Sequence, residues 1–228
     1  MKRDYMYPDN LANLLQGAPT TTLQLQPWPP RSKREVRNVT LPGASHPLRV
    51  YSTSFPGSRL VPDWWVHPES GIWEPSIFKV IAAVQRVRPG LHVDSGSWIG
   101  PTALYAALHA PAVLVVEPDP WAFDEVSANF ALNDALLSKT QLFRTCLSLE
   151  EETLTFFGTG ESGSTTNAVV HNASMLSWSV QCFSLQTLLN RALPGERRNL
   201  LNKAGKQFLR WSFWKLDVEG AGAFPPPH

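Results

Sequence analysis

The sequence predicts an α/β domain built on a doubly wound, mostly parallel sheet of the Rossmann-like type, and three observations carry that prediction. Helical and short apolar segments alternate from residue 74 to about residue 148. Val113-Leu114-Val115-Val116 is apolar without a break, as a strand buried on both faces requires. Turns bearing glycine or an acid, at Gly96 and Glu117, follow the apolar runs. Such alternation implies βαβ units joined by right-handed crossovers.

Residues 1 to 62 show little periodicity and read as an irregular, proline-rich extension. Each proline of Pro27-Trp28-Pro29-Pro30 restricts its neighbour to extended backbone. Arg31-Ser32-Lys33-Arg34 and Arg37 form a short basic cluster, read as a solvated linker rather than a site for an anionic surface. Ile77, Val80, Ile81, Val84 and Val87 recur at helical spacing, with Pro75 in the first turn and Pro89-Gly90 as the stop. Leu91 to Asp94 is the first strand. Gly100-Pro101 opens a helix containing Ala103, Leu104 and Leu108, and Val113 to Val116 is the second strand. A helix from Trp121 to Leu132 ends at Asn133-Asp134, and Gln141 to Ser148 is the third strand.

Beyond it, Thr153 to Phe157 and Ser179 to Phe183 are strand candidates around a glycine-serine loop at 158–164. Ser184 suits the N-cap of a helix over Leu185 to Arg191. Residues 194–210 read as a solvated connection, and Trp211 to Leu216 as the last strand. The expected domain is therefore 63–222, followed by a proline-rich tail at 223–228.

Composition narrows the class. Hydrophobic content of 43% with 17% charged residues suits a globular chain rather than a disordered one. A net charge of +1 gives no reason to expect a nucleic-acid partner. No apolar run approaches the ~20 residues of a membrane span, and no apolar segment follows the charged start, so a cytoplasmic protein is expected. The sequons at Asn38 and Asn172 then count as chance. Cys146 and Cys182 read as reduced thiols, although one disulfide is arithmetically open. No Cys/His cluster has metal-ligand spacing, and nothing sets an oligomeric state.

Three polar features fall at strand ends, where open parallel sheets bind ligands. Asp94-Ser95-Gly96-Ser97-Trp98-Ile99-Gly100 joins the first strand to its helix. Gly96 allows a tight turn, and Gly100 a close helix–strand approach. Glu117 directly follows the second strand, where a carboxylate can accept both hydroxyl protons of a ribose. Asp217 and Glu219 follow the last strand. A dinucleotide fingerprint would place glycine where Asp94 stands. An acid there repels pyrophosphate and suits a ligand with an amino group and a sulfonium, which points to S-adenosylmethionine rather than NAD.

Val93 to Thr102 resembles the first motif of the FkbM-type methyltransferases. Val116-Glu117-Pro118-Asp119-Pro120, with Phe123 and Ala128-Asn129, resembles that family's second motif. Gly71 to Pro75 is similar to the segment before its first strand, Gly160 to Thr165 to its glycine-serine loop, and Lys215 to Ala221 to its lysine-acid-glutamate-glycine motif. The resemblance covers about residues 71 to 222. It implies a class I methyltransferase fold and O-methylation of a hydroxyl on a small molecule or sugar. By the same resemblance Glu74, Asp94, Gly96, Ser97, Gly100, Glu117, Pro118, Asp119, Ser148 and Glu219 are the cofactor-binding candidates. Leu147-Ser148 would lie near the adenine, and Asp217 is the candidate general base, with an orienting role as its alternative.

Two departures qualify the likeness. Gly222 stands where the family usually has a second glutamate, and the chain ends in Ala223-Phe224-Pro225-Pro226-Pro227-His228, where the family continues. The expectation that follows is a domain lacking its C-terminal strands. Its competitors are a degenerate domain that binds without turnover and a nicotinamide-dependent oxidoreductase. Among other residues, His92 reads as a packed strand histidine, His67 and His171 carry no assignment, and Trp73 and Trp98 read as packing residues before cofactor-stacking ones.

Overall fold

The computed structural model describes residues 35–52, 63–158, 176–192 and 212–216. The first element departs from expectation. Within the segment read as irregular, β1 (Val36–Val39) and β2 (Leu48–Tyr51) form an antiparallel hairpin, Val36 opposite Tyr51 and Val39 opposite Leu48. Val39, Leu41, Leu48 and Val50 are all buried. Each strand contributes only four residues, too short a run for alternation to stand out against the surrounding prolines. Arg37 is no solvated cation, because its guanidinium bonds the carboxylates of both Asp63 and Glu69.

Next come a one-turn helix α1 (Val66–Glu69) and the long α2 (Pro75–Val87). The predicted βαβ series follows almost residue for residue: β3 (Leu91–Ser95), α3 (Pro101–His109), β4 (Ala112–Val116) and α4 (Pro120–Ala131). After α4 the short helix α5 (Asp134–Leu137) extends beyond the expected stop. The expected third strand is two strands, β5 (Thr140–Phe143) and β6 (Cys146–Leu147). They belong to different sheets, so the chain changes direction at Arg144-Thr145, where the apolar run is interrupted by polar residues. Then come β7 (Glu152–Gly158), β8 (Leu176–Phe183), α6 (Leu185–Ala192) and β9 (Ser212–Leu216). Ser184 caps α6 as expected, its hydroxyl accepting the Thr187 amide at 3.2 Å.

The principal sheet has the order β5-β4-β3-β9, and every pair in it is parallel. Chain order runs outward from β3 in one direction to β5 and then resumes on its other side with β9. That is the reversal of a doubly wound sheet, and it places the ligand crevice at the carboxyl ends of β3 and β9. Val113 and Val115 face a core that includes Phe78 and Ile81 of α2, Ala103 and Leu104 of α3, and Val126 and Phe130 of α4. Val93, Leu114 and Val116 face Phe183 with Leu188 and Ala192 of α6. Both faces are therefore covered by helices, which explains the unbroken apolar β4.

A second sheet has the order β6-β8-β7, with β7 antiparallel and β6 parallel to β8. Cys146 and Cys182 are direct partners in its register and are joined by a disulfide, correcting the expectation of free thiols. Their separation of 36 in sequence concealed that proximity.

Candidate cofactor site

Asp94 is completely buried near the end of β3. Its Oδ2 accepts the Thr102 hydroxyl at 2.5 Å, so the first turn of α3 holds it in place. Its Oδ1 lies 3.5 Å from the Lys215 ammonium, the residue opposite it on β9. That same ammonium donates to the Gly96 carbonyl at 3.1 Å. One lysine thus ties the crevice's two banks together. Burial lowers the pKa of neighbouring His92, which Asp94 opposes and Lys215 reinforces.

The turn after β3 has the tight backbone that the sequence implied. Gly96 has φ 73°, and its amide donates to the Val116 carbonyl at 2.9 Å, coupling the turn to β4. Gly100 has φ 94°, and a Cβ there would meet Val126 Cγ2 at 2.6 Å. Only glycine lets α3 begin so close to α4. Between them Trp98 takes φ 51°, a left-handed conformation that a bulky residue adopts only under constraint.

Glu117 supplies that constraint. Its Oε2 accepts the Trp98 amide at 2.7 Å and its Oε1 accepts the Asp119 amide at 2.9 Å. The carboxyl is buried, and desolvation pushes its pKa up to about 8. The two backbone hydrogen bonds oppose this rise, while the charges of Asp119 and Asp94 reinforce it. Asp119 has a different role from Glu117. It is the N-cap of α4, accepting from the amides of Trp121 at 2.7 Å and Ala122 at 3.2 Å. Its pKa is raised by burial and held back by those two bonds.

The structure therefore gathers Asp94, Gly96, Ser97, Gly100, Glu117, Pro118 and Asp119 along the turns that follow β3 and β4. Glu74 is apart from these in secondary structure: exposed, left-handed at φ 41°, it is the N-cap of α2. Ser148 follows β6 in the second sheet, its hydroxyl bonded to Glu152 and its amide to the Phe183 carbonyl. Asp217 and Glu219, the glycine-serine loop at 160–165 and His171 lie outside the described residues. Sequence reasoning missed three contributors: Thr102, which clamps Asp94; Lys215, which bridges the strands; and the Trp98 amide, which aims Glu117. All three stand within the segments that resemble family motifs, but nothing in the spacing showed what each would bond.

Trp73 and Trp98 pack edge-on against Trp64, with ring centroids 5.2 Å and 4.4 Å away. This aromatic group braces the outer side of the turn. Among the described residues there is no group of three or more His, Cys, Asp or Glu able to hold a metal, and no helix is long and apolar enough to cross a membrane.

Two buried polar atoms at the crevice lack a hydrogen-bond partner among the described residues, Asp94 Oδ1 and Ser97 Oγ. Buried polar groups are normally satisfied; Asp94 Oδ1 has only the 3.5 Å ion pair with Lys215, so both atoms can still bond a ligand. An amino-bearing nucleoside such as S-adenosylmethionine fits: a cation for Asp94, a hydrogen-bonding partner for Ser97 and ribose hydroxyls for Glu117.

No family model and no curated protein matches the chain. Among solved structures it is similar to a complex of aTrm5 with tRNALeu at 14% identity and a TM-score of 0.33, over 52% of this chain and 31% of that one. It is similar to a SAM-dependent methyltransferase from Agrobacterium tumefaciens at 19% identity and 0.33, over 49% and 33%. It is also similar to Methanocaldococcus jannaschii Trm5 in complex with adenosine, at 16% identity and 0.29, over 48% and 28%. The matched region spans about a third of the length of each of these proteins. The fold assignment rests on the strand order and two-sided packing already described.

Proposed function

We propose that this chain is an S-adenosylmethionine-dependent methyltransferase domain acting on a hydroxyl of a small molecule or sugar. The observation that carries the reading is Glu117. It is a buried carboxyl at the end of β4, fixed by the Trp98 and Asp119 amides beside the crevice where strand order reverses. The acceptor class rests on the FkbM-type motifs alone.

When bound, the cofactor supplies a methyl group on a sulfonium, already activated for in-line displacement. The protein's work is then alignment and exclusion of water. Glu117 orients the ribose through its carboxyl, and in the ionised form each oxygen keeps a second lone pair beside its backbone bond for a ribose hydroxyl. Asp94 and Ser97 hold the amino-acid end, and Gly96 allows close approach of the backbone. Pro118 and Asp119 shape the ribose-side turn. Asp217, next in sequence after β9, is our candidate for the base that takes the acceptor's hydroxyl proton, and Glu219, two residues further on, our candidate for a cofactor contact.

Calorimetric titration of folded protein with S-adenosylhomocysteine, against NAD as control, tests the reading. Saturable binding, weakened tenfold or more by Glu117→Ala (~1.4 kcal/mol), is the expected result. Folded protein that takes up NAD and ignores S-adenosylhomocysteine would sink it.

A further inference from the structure

The second sheet reaches the candidate ribose site through one side chain. Trp178 on β8 is 7% exposed, and its indole Nε1–H donates to the Pro118 carbonyl at 3.2 Å. Pro118 lies between Glu117, the ribose-facing carboxyl, and Asp119, whose amide holds Glu117 Oε1. The same indole meets Trp121 in the first turn of α4 edge-on at 5.5 Å, and is stacked on Phe156 of β7 at 6.4 Å. The Cys146–Cys182 disulfide belongs to this apolar cluster, alongside Trp121, Phe156, Trp178 and Val180. Strand β6 pairs with β8 over only two residue pairs, so the covalent link is a large part of what keeps it there. A continuous chain of contacts therefore runs from the disulfide through Trp178 to the backbone on which Glu117 is aimed.

We propose that Trp178 is a positioning residue for the Glu117 carboxyl and that the Cys146–Cys182 bond holds it in register, so that cofactor affinity depends on the redox state of the pair. The proposal rests on the methyltransferase reading of the site. Reduction adds two electrons and two protons to the cystine, giving two thiols and breaking the S–S bond; a dithiol reductant supplies both and closes to its own disulfide. Freed from the link, β6 can leave β8, the cluster around Trp178 loosens, and the Pro118 carbonyl loses its fixed donor. Glu117 is then less well ordered before the ligand arrives, and affinity falls with that loss of preorganisation.

The test is a two-by-two comparison, read by calorimetric binding of S-adenosylhomocysteine to the full chain. Wild-type protein and Trp178→Phe are each titrated oxidised and after dithiothreitol treatment, with thiol counting to establish the redox state and circular dichroism to establish folding. Phenylalanine keeps an aromatic ring and removes the indole donor. The expected result is about fivefold weaker binding on reduction of the wild type, similarly weak binding by oxidised Trp178→Phe, and little further loss when that variant is reduced. Such non-additivity marks two changes acting through one path. Additive losses would make the disulfide and Trp178 independent structural supports and overturn the coupling. Equal affinity in all four samples, or a pair that resists reduction in the folded protein, overturns the proposal while leaving the cofactor reading intact. Folded wild-type protein that binds no S-adenosylhomocysteine in either state removes both.

Discussion

Glu117 is an acid whose native environment favours its neutral form, and that has a pH signature. Its pKa is pushed up to about 8 in the folded protein from an ordinary value of 4.5. Below the lower value both folded and unfolded chains carry the proton. Between the two values the folded chain keeps it and the unfolded chain loses it, so stability falls as pH rises through this window. Each unit of difference is worth up to ~1.4 kcal/mol. Urea-unfolding midpoints from pH 5 to 8 should therefore decline, with Glu117→Gln showing a flatter profile. Glutamine keeps one accepting oxygen, so its lost bond is a roughly constant offset and the slope is the diagnostic quantity. Equal slopes would mean that Glu117 is ionised throughout. Spacing marked Glu117 in the sequence, because it follows the Gly96 turn by one helix and one strand, whereas alone it could be any solvated loop carboxylate. The role of the Trp98 amide was not legible, since a backbone donor leaves no trace in residue identity.

At the scale of elements, the hairpin and α4 are stitched together by asparagines. Asn129 is completely buried in α4; its Oδ1 accepts the Tyr51 amide at 2.9 Å and its Nδ2 donates to the Ile99 carbonyl at 3.0 Å. One amide side chain thus connects β2 to the turn that carries Trp98 and Gly100. A turn further along, Asn133 exchanges bonds of 3.0 Å and 2.7 Å with the amide and carbonyl of Arg49. Replacing Asn129 with leucine leaves two buried backbone groups without their partner, at about 1–3 kcal/mol each. Chemical denaturation should show a loss of about 2–6 kcal/mol, and hydrogen exchange should show faster exchange at the Tyr51 amide. A loss under 1 kcal/mol would mean that water replaces the side chain. The helices and β3, β4 and β9 were legible because their periods and punctuation agree. The hairpin was not, because its edge is satisfied by side chains 78 and 84 residues away. The split of the third strand was equally hidden, since pairing partners in another sheet decide it.

For the molecule as a whole, the disulfide adds a covalent contribution to stability. It joins two residues 36 apart in sequence. Chain-entropy arguments give a cross-link of that span about 3–4 kcal/mol. Reduction should therefore lower the thermal midpoint by several degrees, read by circular dichroism with and without a reductant. An unchanged midpoint would show that non-covalent packing alone secures β6 and β8. The fold class itself could be read from the sequence because a doubly wound sheet is written in local alternation. The site could be read only in part, because its lysine bridge joins residues that meet through topology.

The Lys215 bond to the Gly96 carbonyl spans 119 residues. During synthesis at about 5–20 residues per second, β9 leaves the ribosome on the order of ten seconds after the turn it must lock. Through that interval β3 has β4 and β5 on one side and an open edge on the other, and Asp94 has no lysine opposite it. Such an edge is where strands pair wrongly. The crevice is therefore incomplete until β9 has emerged, and its unfinished side stays open for that long.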